Sequence, residues 1–169
     1  MNSFASLTTD FLNQKRIAVV GVSSKRNTPA NGIYRKLKEL NYDVFAVNRS
    51  GEPYENDPCY PDLQSVPSTI DGVVIVTNAE NSEKVVEQCV ALNIARVWMH
   101  CSAGTVHRVP SENRRGNTSS VSGKAIRLCR EHNIAVIPGA CPMMFCESAD
   151  WWHKFMRRVL SFTGKLRVE

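Results

Sequence analysis

Long apolar runs are missing from this sequence, so we expect no membrane-spanning helix. The longest such runs, residues 17–22 and 73–76, fall well short of the roughly 20 apolar residues that cross a bilayer. Residues 1–16 also lack the basic-then-apolar order of a secretory signal peptide. We therefore expect a cytoplasmic protein with no membrane partner.

Cysteine pairs of the C-x-x-C type are also absent, although the chain has six cysteines. These are Cys59, Cys89, Cys101, Cys129, Cys141 and Cys146. Several of them fall inside apolar helix or strand patterns, which favours reduced, buried thiols over disulfides. The sequence fixes no histidine beside Cys101 or Cys141, and the spacing of Cys141 and Cys146 is weak evidence for a metal. We therefore assign no catalytic and no metal-binding residue.

A dense basic stripe with interleaved aromatics, as a nucleic-acid-binding surface requires, is missing too. The 21 basic and 16 acidic residues give a net charge of +5 and are spread along the chain. This balance gives a modest preference for anions. A small phosphorylated ligand fits it better than a nucleic acid does.

Strand and helix patterns alternate along the chain. Apolar strand patterns occupy residues 17–20, 43–48, 71–77, 95–100 and 134–138. Helical patterns begin at Pro29, at a cap formed by Asn81 or Ser82, and at residue 121, and a Gly/Ser/Asn-rich loop covers residues 101–119. The proline-rich residues 49–69 predict a loop with a short strand near Cys59. The alternation predicts one α/β domain over residues 1–169: a doubly wound, Rossmann-like parallel sheet in a three-layer α/β/α arrangement.

Amphipathic helices are predicted at both ends of the chain, over about residues 3–14 and 148–162. The second places Trp151, Phe155 and Val159 on one side. We interpret it as packing on the protein's own sheet or on a second copy in a homodimer, rather than on a membrane surface.

The turn after the first strand is the best candidate for a ligand site. Gly21 lets the backbone bend sharply where the strand stops, and Pro29 suits the first turn of the following helix. The hydroxyl and cationic side chains between them, together with the free N–H groups at the helix start, favour phosphate. Ligands of open parallel sheets bind beyond the carboxyl ends of the strands, where the next polar residues are Asn48, Arg49, Thr77 and Asn78.

Two features argue against an ordinary dinucleotide oxidoreductase. The loop G-V-S-S-K-R-N-T-P lacks the G-x-G-x-x-G pattern. The second strand ends in Asn48 and Arg49, with no acid to accept hydrogen bonds from the ribose hydroxyls. A cation there favours a ribose that carries its own phosphate, as in NADP or coenzyme A, and coenzyme A needs no hydride acceptor beside it.

The sequence resembles the small stand-alone CoA-binding proteins, which are similar to the CoA-binding domain of the succinyl-CoA synthetase α subunit and of ADP-forming acyl-CoA synthetases. The resemblance covers most of the chain. It is carried by I-A-V-V-G-V-S-S with Pro29, N-Y-D-V-F-A-V-N-R, C-Y-P-D-L, I-D-G-V-V-I-V-T, S-V-S-G-K-A and I-P-G-A-C-P-M-M-F. Many relatives have Asn-Pro where this chain has Asn48-Arg49, and a basic residue where it has Thr28.

The resemblance implies that the first loop holds the nucleotide and its phosphates, and that the next strand ends flank the adenosine and ribose. With the strand-end residues included, the expected binding residues are Gly21, Val22, Ser23, Ser24, Lys25, Arg26, Asn48, Arg49, Thr77 and Asn78. We expect a protein that binds coenzyme A or an acyl-CoA without catalysis of its own, because the synthetases' ligase domain has no counterpart here. Two alternatives stay open: an NADP-linked oxidoreductase, and an interaction module that has lost its ligand.

Overall fold

The computed structural model describes residues 3–105 and 119–146, together with residues 154–155 and 158–159. The helices are α1 (Phe4–Leu12), α2 (Pro29–Glu39), α3 (Ala79–Ala91) and α4 (Gly123–Glu131), and a 3-10 turn covers Pro142–Met144. The strands are β1 (Arg16–Val20), β2 (Asp43–Val47), β3 (Cys59–Tyr60), β4 (Gly72–Ile75), β5 (Arg96–Met99), β6 (Cys101–Thr105) and β7 (Ala135–Ala140).

These strands form one sheet in the order β3-β2-β1-β4-β5-β7-β6. All neighbours pair in parallel except β6, which runs antiparallel to β7. Apolar residues of α1 and α2 pack on one face of the sheet, and those of α3 and α4 pack on the other. The predicted doubly wound, three-layer α/β/α fold is therefore confirmed.

Strand β6 departs from the prediction of an all-parallel sheet and of a loop over residues 101–119. Its sequence, Cys-Ser-Ala-Gly-Thr, has one β-branched residue, Thr105, and none of the aromatic residues that mark a strand. Only His100 separates it from β5. It pairs antiparallel with the end of β7, at Gly139 and Ala140, and so forms an edge of the sheet.

The central strand β1 explains why its sequence shows no alternation of apolar and polar residues. Its neighbours are β2 and β4, and residues from Ile17 to Val19 are fully buried. Ile17 and Val19 face the α1/α2 layer, whereas Ala18 and Val20 face the α3/α4 layer. Burial on both faces fixes β1 in the middle of the sheet, and with it the position of the loop that follows.

Helix α3 begins earlier than the sequence predicted. Its N-cap is Asn78, whose side-chain oxygen accepts a hydrogen bond from the Asn81 N–H at 2.9 Å. The predicted cap at Asn81 or Ser82 is therefore wrong. Strand β4 ends at Ile75 rather than at residue 77, which leaves Asn78 in an extended conformation suited to capping.

The two ends of the chain are described to different extents. Helix α1 is capped by Ser3, whose hydroxyl oxygen accepts from the Ser6 N–H at 3.1 Å. The helix predicted at about 148–162 lies largely outside the described residues, and residues 154–155 and 158–159 are helical. In the part of the chain that is described, no helix combines the length and the hydrophobicity needed to span a bilayer.

Candidate functional site

A cavity of about 330 Å³ opens at the carboxyl ends of β1, β2 and β4. The chain runs outward from β1 to β2 on one side, and β4 lies on the other side. The cavity therefore occupies the switch point of the sheet, where open α/β folds bind ligands. Its walls are the loops after β1, β2, β3 and β4, together with one side of α3.

Gly21 forms the corner between β1 and the first loop. Its φ of +109° is disfavoured for residues with a side chain, and a Cβ there would lie 2.2 Å from the carbonyl oxygen of Val76. Its N–H donates to the Val47 carbonyl at 2.9 Å. Only glycine lets the backbone turn this close to both flanking strands.

Asn48 connects the second loop to the first. Its side-chain NH₂ donates to the Val22 carbonyl at 2.6 Å, and its backbone N–H donates to the Tyr60 carbonyl at 2.8 Å. Asn48 lines the cavity, as expected of a site residue. Its side chain also holds the loops after β1 and β2 together.

The charged groups that line the cavity are Arg26, Arg49, Lys84 and Asp62. The Arg49 guanidinium donates to the Asn81 side-chain oxygen at 2.6 Å, and Lys84 pairs with Glu80 at 3.2 Å. Across the described residues, no carboxylate lies within ion-pair distance of either arginine. The cavity therefore offers two guanidinium groups to an anion.

Asp62 is the acidic residue among the charged residues that line the cavity. Its carboxylate accepts hydrogen bonds from the hydroxyl and the N–H of Ser65, at 2.7 and 2.8 Å. These bonds lower the pKa of Asp62, so its side chain is a carboxylate at neutral pH.

Three of the expected binding residues do not line the cavity. The side chain of Val22 is fully buried in the core. Lys25 pairs with Glu52 at 2.7 Å, and the Ser24 hydroxyl lies 3.3 Å from the same carboxylate. The other seven do line it: Gly21, Ser23, Arg26, Asn48, Arg49, Thr77 and Asn78.

Thr77 is held in the cavity wall by Ser120, a buried residue of the segment S-V-S-G-K-A, which contributed to the family resemblance but received no contact assignment. The Ser120 hydroxyl accepts from the Thr77 N–H at 3.0 Å and donates to the Thr77 carbonyl at 2.8 Å. Asn78 uses its side-chain oxygen to cap α3. These hydrogen bonds hold the backbone after the end of β4 in place.

Pro61, Leu63 and Val85 form an apolar wall of the cavity. The side chain of Gln88 accepts a hydrogen bond from the Leu63 N–H at 3.0 Å and so fixes this wall on α3. In the sequence the segment C-Y-P-D-L contributed only to a family resemblance and received no contact assignment. Its place in the cavity follows from β3, which pairs with β2 and brings the next loop to the site.

The six cysteines are buried and unbridged in the structure, and none lines the cavity. Burial raises the pKa of Cys89, and it raises the pKa of Cys129 to about 12. Cys101 and Cys141 are buried next to the end of β7. These positions are those of structural thiols.

Comparison with known proteins gives a consistent result. The family model described as CoA binding domain matches residues 15–147. The ADP-forming acetate–CoA ligase I of Archaeoglobus fulgidus is 33% identical over 75 residues, which are 44% of this chain and 11% of the ligase. The matched part of the chain thus spans about one tenth of that relative's length.

Solved structures share the fold. A hypothetical protein from Pyrococcus horikoshii OT3 has a TM-score of 0.67 and 24% identity, covering 83% of this chain and 87% of that one. The apo form of the dinucleotide-forming acetyl-coenzyme A synthetase 1 from Candidatus Korarchaeum cryptofilum has a TM-score of 0.58 and 19% identity. That match covers 75% of this chain and 26% of the synthetase.

Proposed function

Because the chain belongs to the CoA-binding domain family, we propose that it binds coenzyme A, free or as an acyl thioester, in the cavity at the carboxyl ends of β1, β2 and β4. One observation carries this proposal. The backbone of the first loop and the guanidinium groups of Arg26 and Arg49 border a single cavity, which also has an apolar wall. Coenzyme A has the matching groups: a diphosphate, a ribose phosphate and a flat base.

The first loop is suited to the diphosphate. Within the described part of the chain, no hydrogen-bond acceptor meets the backbone N–H of Ser24 or of Arg26. Unpaired N–H groups just before a helix N-terminus attract phosphate oxygens, and the Arg26 guanidinium adds positive charge. Of the three expected residues that do not line the cavity, Ser24 therefore offers a free N–H, whereas the Lys25 N–H already donates to the Ser23 hydroxyl at 3.3 Å.

The apolar wall of the cavity is suited to the nucleoside. The apolar surface of Pro61, Leu63 and Val85 offers a place for the adenine ring. Arg49, at the end of β2, is the cation for the phosphate on the ribose. The cavity volume of about 330 Å³ is at the small end for ligand pockets. The site therefore holds the nucleotide end of coenzyme A and leaves the pantetheine arm outside.

The residues that line the cavity favour ligand binding over catalysis. Among the lining residues that the structure describes, Asp62 is the acidic residue, and no histidine or cysteine is present. The lowered pKa of Asp62 makes it a weak proton acceptor at neutral pH. These residues supply no matched acid and base, which supports a binding protein without catalysis of its own.

Isothermal titration with coenzyme A, dephospho-CoA, NADP and NAD tests the proposal. We expect coenzyme A to bind most tightly, and dephospho-CoA about tenfold more weakly because it lacks the phosphate that pairs with a guanidinium. Equal or tighter binding of NADP or NAD contradicts the proposal and favours an oxidoreductase. Failure of all four ligands to bind favours an interaction module that has lost its ligand.

A further inference from the structure

Asn31 is a buried polar residue on the otherwise apolar face of α2. Its side chain is 3% exposed, and its buried neighbours on the helix are Ala30, Ile33, Tyr34 and Leu37. A primary amide in such a place is costly unless its hydrogen-bonding groups are paired. Asn31 does not line the ligand cavity.

The Asn31 amide is bound to the backbone of the first loop. Its oxygen accepts from the Ser23 N–H at 3.0 Å, and its nitrogen donates to the carbonyls of Ser23 and Arg26 at 2.9 and 3.2 Å. The Thr28 hydroxyl lies 2.9 Å from the same oxygen and 3.2 Å from the Gly21 carbonyl. The two donors and the acceptor oxygen of the amide are thus all engaged by the loop.

These contacts determine how the loop presents its peptide groups. The carbonyls of Ser23 and Arg26 accept from the buried Asn31 amide, on the side of the loop that faces α2. The N–H groups of Ser24 and Arg26 have no acceptor in the described part of the chain. The Thr28 hydroxyl makes no capping bond to α2, because it faces Gly21 and Asn31 instead.

We propose that Asn31 is the positioning residue of the phosphate-binding loop. It fixes the backbone of residues 23–26 with the carbonyl groups inward and the free N–H groups available to the ligand's diphosphate, without touching the ligand. The inference rests on the proposed function, because it assigns the diphosphate to this loop. A buried residue that only stabilised the fold would affect all ligands equally, whereas a positioning residue acts on the diphosphate alone.

The test uses Asn31→Asp, which keeps the size of the side chain but replaces the NH₂ donor with a charged oxygen facing two carbonyls. We expect its affinity for coenzyme A to fall about tenfold, as for the loss of one or two hydrogen bonds to phosphate. Affinity for adenosine 3′-monophosphate, which has no diphosphate, should change less than about twofold. Amide exchange of Ser23, followed by NMR in Asn31→Ala, should become faster, because that substitution removes the oxygen that accepts from the Ser23 N–H.

Two further variants control for lost stability. Ile33→Val removes one buried methyl group from the same helix without touching the loop, and it should leave both affinities and the exchange of Ser23 unchanged. Asn31→Ala removes the oxygen that accepts from the Ser23 N–H as well as the two donor bonds, without adding charge. It serves for the exchange measurement and, if Asn31→Asp does not fold, for the two affinities as well.

Parallel weakening of both ligands, an unchanged affinity for coenzyme A, or unchanged exchange at Ser23 would each overturn the assignment of Asn31. If the wild-type protein binds no coenzyme A, the proposed function itself fails. The exchange of Ser23 then decides whether Asn31 holds the loop at all. The two failures are therefore distinguishable.

Discussion

Replacing Gly21 with alanine should destabilise the protein and weaken its ligand site together. The backbone there has a φ of +109°, and the added Cβ would lie 2.2 Å from the Val76 carbonyl oxygen. The backbone conformation alone costs about 1–3 kcal/mol for a residue with a side chain. To avoid this clash, the end of β1 must move away from the residues after β4. The Val76 N–H donates to the Val20 carbonyl at 2.9 Å there, and this hydrogen bond would be lost.

Loss of that hydrogen bond adds about 1 kcal/mol, so we expect a total destabilisation of about 2–4 kcal/mol. For a domain of this size, that corresponds to a fall in melting temperature of about 5–15 °C. Thermal and urea unfolding, followed by circular dichroism, measure this change. Isothermal titration below the melting transition should also show weaker binding of coenzyme A, because Gly21 sets the direction of the loop.

Gly32→Ala is the matched control. Gly32 lies inside α2, and the nearest atom to an added Cβ is the Met143 sulfur at 3.9 Å, an ordinary contact. Alanine is favoured over glycine in helices by about 1 kcal/mol, so this variant should be as stable as the wild type or slightly more stable. Wild-type stability of Gly21→Ala, or equal damage from both substitutions, would refute our account of the corner.

Three other substitutions or treatments have defined outcomes. Arg49→Ala should weaken the binding of coenzyme A about tenfold and should change the binding of dephospho-CoA little. Lys124→Ala, at an exposed position, is the control. Equal losses of affinity for the two ligands would contradict the assignment of Arg49 to the ribose phosphate. The Arg16 hydrogen bond lowers the pKa of Asp71 from 3.8 to about 2. That stabilisation is present above about pH 4 and is lost as the pH falls through 2. In urea unfolding, Asp71→Asn should therefore be less stable than the wild type by about 1–2 kcal/mol at pH 7, and this difference should shrink between pH 4 and 2. The expected free energy is reduced for solvent screening, because the Arg16 side chain is 41% exposed. The Cys129 thiol, with a pKa near 12, should resist a disulfide reagent at pH 8 in the folded protein and react in urea; rapid labelling of the native protein would contradict its burial.

The sequence predicted the parts of the site that sheet topology fixes. A continuous apolar run identifies β1 as a central parallel strand, and a glycine at its end identifies the turn. Because parallel strands bring their carboxyl ends to one edge, Asn48 and Thr77 were expected beside Gly21, and they line the same cavity.

The direction of each side chain in the first loop was beyond sequence patterns. Arg26 faces the cavity while Lys25, its neighbour, pairs with Glu52, and the loop conformation decides this. That conformation depends on Asn31, whose place in an amphipathic helix gives no sign of its contacts. Ser120 contacts Thr77 across a separation of 43 residues, which no local pattern reveals.

A crystal structure of the protein with coenzyme A tests the central claim most directly. We predict that diphosphate oxygens lie about 3 Å from the backbone nitrogens of Ser24 or Arg26, and that the ribose phosphate contacts Arg49. A nucleotide bound elsewhere, with the cavity beside Gly21 left unfilled, would contradict the account.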